Sequence, residues 1–252
     1  MFNVSDSAYD NFMGRYSMRL APLFAEFAGI EPGQRVLDVG AGTGALATEL
    51  ARRGARVAAV DPSPGFVAAL ERRLPGIETL AAPAEELPWD DETFDAALAQ
   101  LVVTFMRDAP AGIREMHRVV RAGGAVALCM WDRTGMEMLA AISRTQVALQ
   151  SKAETTEART LYRSREEIEG LFAEDAFADV ETELLEVEAE YAGFDEFWGA
   201  LADGAGPAGS WVKSLGEDQQ EAARSEVERQ IGSPSGAFTL HGRAWATRAT
   251  RV

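Results

Sequence analysis

Val36-Leu37-Asp38-Val39-Gly40-Ala41-Gly42-Thr43-Gly44-Ala45-Leu46-Ala47 is the stretch on which the fold turns. Val36, Leu37 and Val39 form a short apolar, β-branched run, the mark of a strand buried on both faces. The run stops at Gly40, and Gly42 and Gly44 follow at alternate positions. Over 45–53, Leu46 and Leu50 stand four apart, which predicts a helix. Strand, glycine turn and helix make the first unit of an open α/β sheet, with a ligand expected at the strand's carboxyl end. Glycine suits such a turn because a side chain would hold a ligand off the backbone.

The glycines do not choose that ligand. Gly40-x-Gly42-x-x-Ala45 satisfies the dinucleotide fingerprint, so a nicotinamide-dependent oxidoreductase is one reading. Asp38 argues against it, because it lies at the strand's end, facing the crevice, where a pyrophosphate would meet a carboxylate. Two unit charges about 4 Å apart at an effective dielectric of about 20 repel by roughly 4 kcal/mol. An ammonium group is attracted there instead. S-adenosylmethionine carries an ammonium, a ribose and an adenine, and no phosphate. The stretch Asp38-Val39-Gly40-Ala41-Gly42-Thr43-Gly44 resembles the first motif, E/D-x-G-x-G-x-G, of class I S-adenosylmethionine-dependent methyltransferases. The resemblance is to the small-molecule type, with a core like that of the ubiquinone and menaquinone biosynthesis enzymes.

Further stretches agree in order. A second strand over 56–60 ends in Asp61-Pro62-Ser63. Asp61 lies 21 residues past Gly40, where a doubly wound fold sets an acid against ribose hydroxyls. Its competing role is to cap the helix that begins near Pro64. Pro62 offers a rigid apolar face to the adenine. A third strand over 78–81 leads into Pro83-Ala84-Glu85-Glu86-Leu87-Pro88-Trp89, followed by Phe94-Asp95. This resembles the family's adenine-binding stretch G-D-A-E-x-L-P-F…F-D. It departs at Pro83, where the family commonly has an aspartate. Proline has neither a side-chain acceptor nor an N–H, so the adenine edge falls to the Ala84 backbone, Glu85 or water. In the resembling family the end of the fourth strand, 95–100, lines the methionine part of the cofactor, which implicates Gln100 and Leu101. Phe105 and Met106 either touch the methyl acceptor or pack in the core. A helix over 109–120 has Ile113, Met116 and Val120 inward, with His117 beside that stripe. The turn at 121–124 resembles the family's R/K-P-G-G, and a fifth strand over 125–130 ends at Trp131-Asp132.

Upstream, Phe12 and Tyr16 stand four apart. They are either the inner stripe of an amphipathic helix or part of a lid. In the lid, Arg15 binds the cofactor's carboxylate, Tyr16 approaches the transferred methyl and Phe12 lines the acceptor pocket. Downstream, Ser151 to Arg159 is polar and reads as a mobile link. A helix over 165–173, a strand over 178–191, a helix over 217–231 and an antiparallel last strand over 237–248 complete the pattern. Phe194, Phe197, Trp198 and Trp211 form either a small satellite core or a cap. As a cap they put Trp198 beside Trp131 in the acceptor pocket. The resemblance implies a doubly wound, mostly parallel seven-stranded sheet of order 3-2-1-4-5-7-6 with the last strand antiparallel, plus a helical cap. The implied divisions are a lid at 1–30, a cofactor-binding core at 31–132, the rest of the sheet at 133–191 and 236–252, and a cap insertion at 192–235.

Composition bounds the partners. At 252 residues and a formal net charge of -16, the chain repels phosphate backbones and anionic lipid, so neither nucleic acid nor membrane is expected. No apolar run reaches the roughly 18 residues of a membrane span. The start lacks a signal peptide's basic and apolar regions. The lone Cys129 fits a buried small residue in a reducing, cytoplasmic protein. No cluster has metal-ligand spacing, so no metal is expected. The expected activity is methyl transfer from S-adenosylmethionine to a small molecule, leaving S-adenosylhomocysteine. A homodimer is compatible with it. Alignment and exclusion of water carry most of such a reaction. Where an oxygen or nitrogen acceptor needs a base, Tyr16, Asp132 and His117 are the candidates. The alternative is a protein that binds the cofactor without transferring its methyl group.

Overall fold

The strand predicted at the centre is there, in a computed structural model that describes residues 10–132, 134–149, 161–173, 176–203 and 206–252. β1 (Arg35–Val39), β2 (Arg56–Val60), β3 (Glu78–Leu80), β4 (Phe94–Gln100), β5 (Val120–Trp131), β6 (Phe177–Tyr191) and β7 (Phe238–Arg251) form one sheet of order β3-β2-β1-β4-β5-β7-β6. The first five strands run parallel, and β7 runs antiparallel to both β5 and β6. β1 lies inside the sheet with helices on both faces, which explains why Val36, Leu37 and Val39 are all apolar whichever face they point to.

Alternation along the strands separates two cores. Val36, Leu98, Ala127, Cys129 and Trp131 pack on one face with α1 (Arg15–Phe27), α2 (Ala45–Arg52) and α5 (Glu137–Ala148). Leu37, Val39, Ala97, Val126 and Leu128 pack on the other with α4 (Ala109–Val119) and α6 (Arg165–Glu169). The same alternation puts Asp38 and Gln100 on the α1 face. Between β2 and β3 runs α3 (Pro64–Arg73). The parallel register sets Asp38 beside Leu98, and Gln100 beside Cys129. The carboxyl ends of β1, β4 and β5 therefore step upward in turn, and α1 crosses above them.

Several boundaries differ from the sequence expectation. β5 begins at Val120, not near 125, because Val120 already pairs with Phe94 before an irregularity in the ladder. A Cβ at Gly124 would lie 2.6 Å from the Asp95 carbonyl oxygen, so the turn resembling R/K-P-G-G hugs β4. The helix expected over 165–173 is divided. Ser164 and Glu167 form a capping box at the start of α6, and a 3-10 turn follows at Gly170–Phe172. Residues 192–235 carry three helices between β6 and β7: α7 (Phe194–Ala202), α8 (Gly206–Ser214) and α9 (Glu217–Gln230). The link expected at 151–159 lies outside the described residues. No described helix is long and apolar enough to cross a membrane.

Candidate active site

The three glycines after β1 do different jobs. Gly40 and Gly44 have φ of 71° and 88°, and a Cβ at either would come within 2.3 Å of Val102 and Leu70 respectively. Both are glycine because packing within the protein leaves no room for a Cβ, and Gly40 also lines the cleft beside the turn. Gly42, at φ 54°, meets nothing within 4 Å and faces open space, as a ligand-approach glycine should. Asp61 braces this turn. Its Oδ2 accepts from the Gly42 N–H at 2.9 Å and its Oδ1 from the Ser63 N–H at 2.8 Å. Ser63 is the residue that caps α3, with Pro64 at the first helical position, so Asp61 is not the cap. Burial raises the Asp61 pKa, and the two backbone donors oppose that rise.

Beside the turn lies a cleft lined by Ser17, Asp38, Gly40, Ala41, Gly42, Gln100 and Leu101, among others. Two buried acceptors in it lack partners: Asp38 Oδ2 and Gln100 Oε1. The Gln100 amide is oriented by its own Nε2, which donates to the Ser17 carbonyl oxygen on α1 at 3.1 Å. Burial, with a smaller push from Asp61, lifts the Asp38 pKa to about 7, against a backbone hydrogen bond from Ala47 that lowers it. Leu101 closes the cleft in a left-handed conformation, φ 61°, that non-glycine residues rarely adopt, and its N–H is held by the Cys129 carbonyl at 2.9 Å. Unpaired buried acceptors are costly in a folded chain. Two of them in one cleft complement a cation that carries several N–H donors, and they repel a phosphate.

The other residues singled out in the sequence fall into two groups. Ala84 is buried near this end of the sheet, and Pro62 is exposed. Glu85 is partly spent, since its Oε1 accepts from the Arg107 and Asp108 N–H groups at 2.6 and 3.1 Å and ties the loop after β4. Met106 is half-buried and packs against Gly112, whereas Phe105 is exposed. Phe12, Tyr16 and Trp131 are buried together in the α1-side core, and Trp198 is half-buried against Phe194.

Arg15 is not at the cleft. Its guanidinium bonds the Glu196 carboxylate on α7 and the Glu190 carbonyl, and lies 5.0 Å from the centre of the Tyr191 ring. It fastens α1 to the 192–235 segment and is not placed to bind a cofactor carboxylate. None of the three candidate bases is placed as one. Tyr16 is wholly enclosed, its hydroxyl is hydrogen-bonded to that of Tyr191 at 3.3 Å, and burial pushes its pKa far above the usual tyrosine range. Asp132 accepts from Trp245 Nε1 at 3.0 Å and from the Thr134 N–H and hydroxyl, so it is a turn-bracing group. His117 lies near the end of α4, with its ring on Phe177 and its Nε2 3.2 Å from the Ala176 carbonyl, on the opposite face of the sheet. The sequence did not single out Ser17, which orients Gln100, Val102, which seats Gly40, or Tyr191, which joins Tyr16. Ser17 had a weak signal in its place one residue after Tyr16. The other two had none, because their roles arise only from pairing between distant segments. Among the described residues no group of histidines, cysteines and acids is arranged to hold a metal ion.

The strand order, the glycine turn at the end of β1 and the acid at the end of β2 are those of an open, doubly wound α/β fold with a ligand crevice at the strand ends. The family described as a methyltransferase domain matches residues 37–128, the span from β1 into β5. The chain is similar to the demethylmenaquinone methyltransferase of Clavibacter sepedonicus, 35% identical over 136 residues that make up 51% of this chain and 56% of that protein. It is also similar to an uncharacterized methyltransferase, Rv3342, of Mycobacterium tuberculosis, 44% identical over 99 residues, or 39% of this chain and 40% of that one. The matched region thus spans about half the length of these relatives or less. Among solved structures, phosphoethanolamine N-methyltransferase 2 of Haemonchus contortus superposes with a TM-score of 0.60 at 18% identity, over 98% of this chain and 57% of that one. The YcgJ protein of a Bacillus superposes with a TM-score of 0.59 at 17% identity, over 94% and 98%. At these identities the structural likeness speaks for the fold alone.

Proposed function

We propose that the protein transfers a methyl group from S-adenosylmethionine to a small-molecule acceptor. The observation that carries this is the pair of unpartnered acceptors, Asp38 Oδ2 and Gln100 Oε1, buried in one cleft beside an open Gly42. They fit the ammonium of the cofactor's amino-acid tail. Asp61, with acceptor capacity left on both oxygens, fits the ribose hydroxyls, and Ala84 with Pro62 stands on the adenine side. When bound, the cofactor supplies an electrophilic methyl on a sulfonium, which is already a good leaving group. This chain's own residues then orient and enclose. Gln100 is locked by Ser17, Gly42 leaves room at the backbone, and α1 covers the cleft from water. The Haemonchus enzyme is described in complex with S-adenosylhomocysteine, which supports the assignment by analogy of fold. The helices of 192–235, fastened by Arg15 to α1, act as the cap on the acceptor side. A net charge of -16 favours a small, uncharged or cationic acceptor over nucleic acid.

Titration calorimetry with S-adenosylhomocysteine and with NADH, followed by incubation with methyl-labelled cofactor and a metabolite extract, tests the proposal. Binding of the first, not the second, and label appearing in a product are expected. Tight NADH binding, or no binding of S-adenosylhomocysteine, overturns it. Binding without label transfer would instead make the chain a cofactor-binding protein.

A further inference from the structure

Arg53 follows the last residue of α2 and reaches across to α1. Its Nη2 donates to the Pro22 carbonyl oxygen at 2.7 Å, and its Nε donates to Glu49 Oε1 at 2.7 Å. Glu49 is a buried carboxylate, 6% exposed, that also accepts from Arg52 Nε and Nη2 at 2.7 and 2.8 Å. A buried charged cluster gains little net stability, because desolvation offsets the attraction. Its value here lies in what it grips. Pro22 is inside α1 and has no N–H, so the Met18 carbonyl loses its helical partner. The proline makes a joint in α1, and Ser17 lies beyond that joint, five residues back.

The two elements joined by Arg53 both line the cleft. Ser17 lines it from α1, and Ala45 and Leu46 line it from the first turn of α2, one turn before Glu49. The Ser17 carbonyl accepts from Gln100 Nε2 at 3.1 Å, and that bond decides which end of the amide faces the cleft. With Ser17 in place, Oε1 is presented there, buried and unpartnered. With Ser17 displaced, the amide is free to turn and present its NH2, whose hydrogens repel an ammonium. We infer that Arg53, held by Glu49, is a positioning residue for the cofactor: it fixes the proline joint of α1 so that Ser17 keeps the Gln100 oxygen turned to the cleft. This rests on the assignment of the cleft to S-adenosylmethionine. Arg53 is not among the residues that line the cleft, so it acts through Ser17 and Gln100.

The test is a double-mutant cycle on the full chain, read by calorimetry with S-adenosylhomocysteine at a temperature where every variant is folded. Arg53→Met keeps the aliphatic stem, removes the guanidinium and leaves Glu49 paired with Arg52. Its dissociation constant is expected to rise at least tenfold over the parent's. In a Gln100→Leu background the same change is expected to cost less than threefold. Additive losses overturn the inference, because a brace that served stability alone would act independently of Gln100. Parent-like affinity in Arg53→Met overturns it too. Arg53→Lys keeps a charge beside Glu49 and serves if Arg53→Met does not fold. Its single nitrogen cannot span two acceptors as the guanidinium fork does. A loss of at least fivefold is expected, falling below twofold with Gln100→Leu, and parent-like affinity again overturns the inference. A readout without ligand separates this from the cofactor assignment. The Gln100 side-chain amide resonances, identified by their loss in Gln100→Leu, are expected to move in the Arg53 variants with no ligand present, and resonances left in place overturn the inference. Failure of the unaltered protein to bind S-adenosylhomocysteine sinks the methyl-transfer assignment, and the resonances then still decide whether Arg53 sets the amide.

Discussion

Asp38→Asn separates stability from binding at one atom. The Asp38 carboxyl is fully buried, and its pKa rises from 3.8 to about 7, chiefly by desolvation. In the unfolded chain it titrates near its ordinary value. Between these two pH values the folded protein holds a proton that the unfolded chain has lost. Stability from this group therefore falls as pH rises from about 4 to about 7 and is flat above. Roughly three pH units at about 1.4 kcal/mol each make about 4 kcal/mol of stability forgone at pH 8. Asparagine has the same shape and no charge to desolvate. The expected result is a variant equal to the parent in urea unfolding near pH 4 and more stable by up to about 4 kcal/mol at pH 8, followed by tryptophan fluorescence. The same variant is expected to bind S-adenosylhomocysteine more weakly by about 1.5 to 3 kcal/mol, the worth of a charged hydrogen bond, which is roughly ten- to hundredfold. The parent's affinity is expected to fall about tenfold per pH unit below 7, since the ammonium must find the carboxylate ionised, and the variant's affinity is expected to be flat. Equal stabilities at pH 8, or a stability gain that does not change with pH, would refute the desolvation argument.

Further outcomes follow from the same geometry. Gly44→Ala, at φ 88° and 2.3 Å from Leu70, is expected to destabilise by more than about 1 kcal/mol in urea melts, whereas Gly42→Ala, with open space around it, is expected to lose S-adenosylhomocysteine binding with a smaller loss of stability. The opposite pattern in calorimetry would reverse their roles. Arg15→Ala is expected to lower the melting temperature by loosening α1 from Glu196, while changing S-adenosylhomocysteine affinity less than fivefold. A hundredfold loss would restore Arg15 to the cofactor site. His117→Ala is expected to leave label transfer within twofold of the parent, because the ring lies across the sheet from the cleft. A loss of transfer with unchanged melting would place it in the chemistry.

The cleft beside the end of β1 was legible because it is local. Asp38, Gly42 and Asp61 sit at strand ends, and the short loops of a doubly wound sheet bring the ends of neighbouring strands together whatever the distant sequence does. The docking of α1 on the 192–235 segment was not legible, because its partners come from segments far apart. Arg15 and Glu196 are 181 positions apart, and Tyr16 and Tyr191 are 175 apart. No short-range pattern announces such a pair.

The sequence by itself determined the strand–glycine–helix unit, the acid at the end of β1 and the apolar runs of the strands, while their order came from the family resemblance. Those properties follow from backbone sterics, charge and burial repeated over a few residues. Only the tertiary structure decided that Gly40 and Gly44 seat side chains while Gly42 opens to space, and that Arg15 and Asp132 are braces. It also decided that Arg53 grips α1 at the Pro22 carbonyl. These depend on which atoms long-range packing brings within a few ångströms, and such contacts have no signature along the chain.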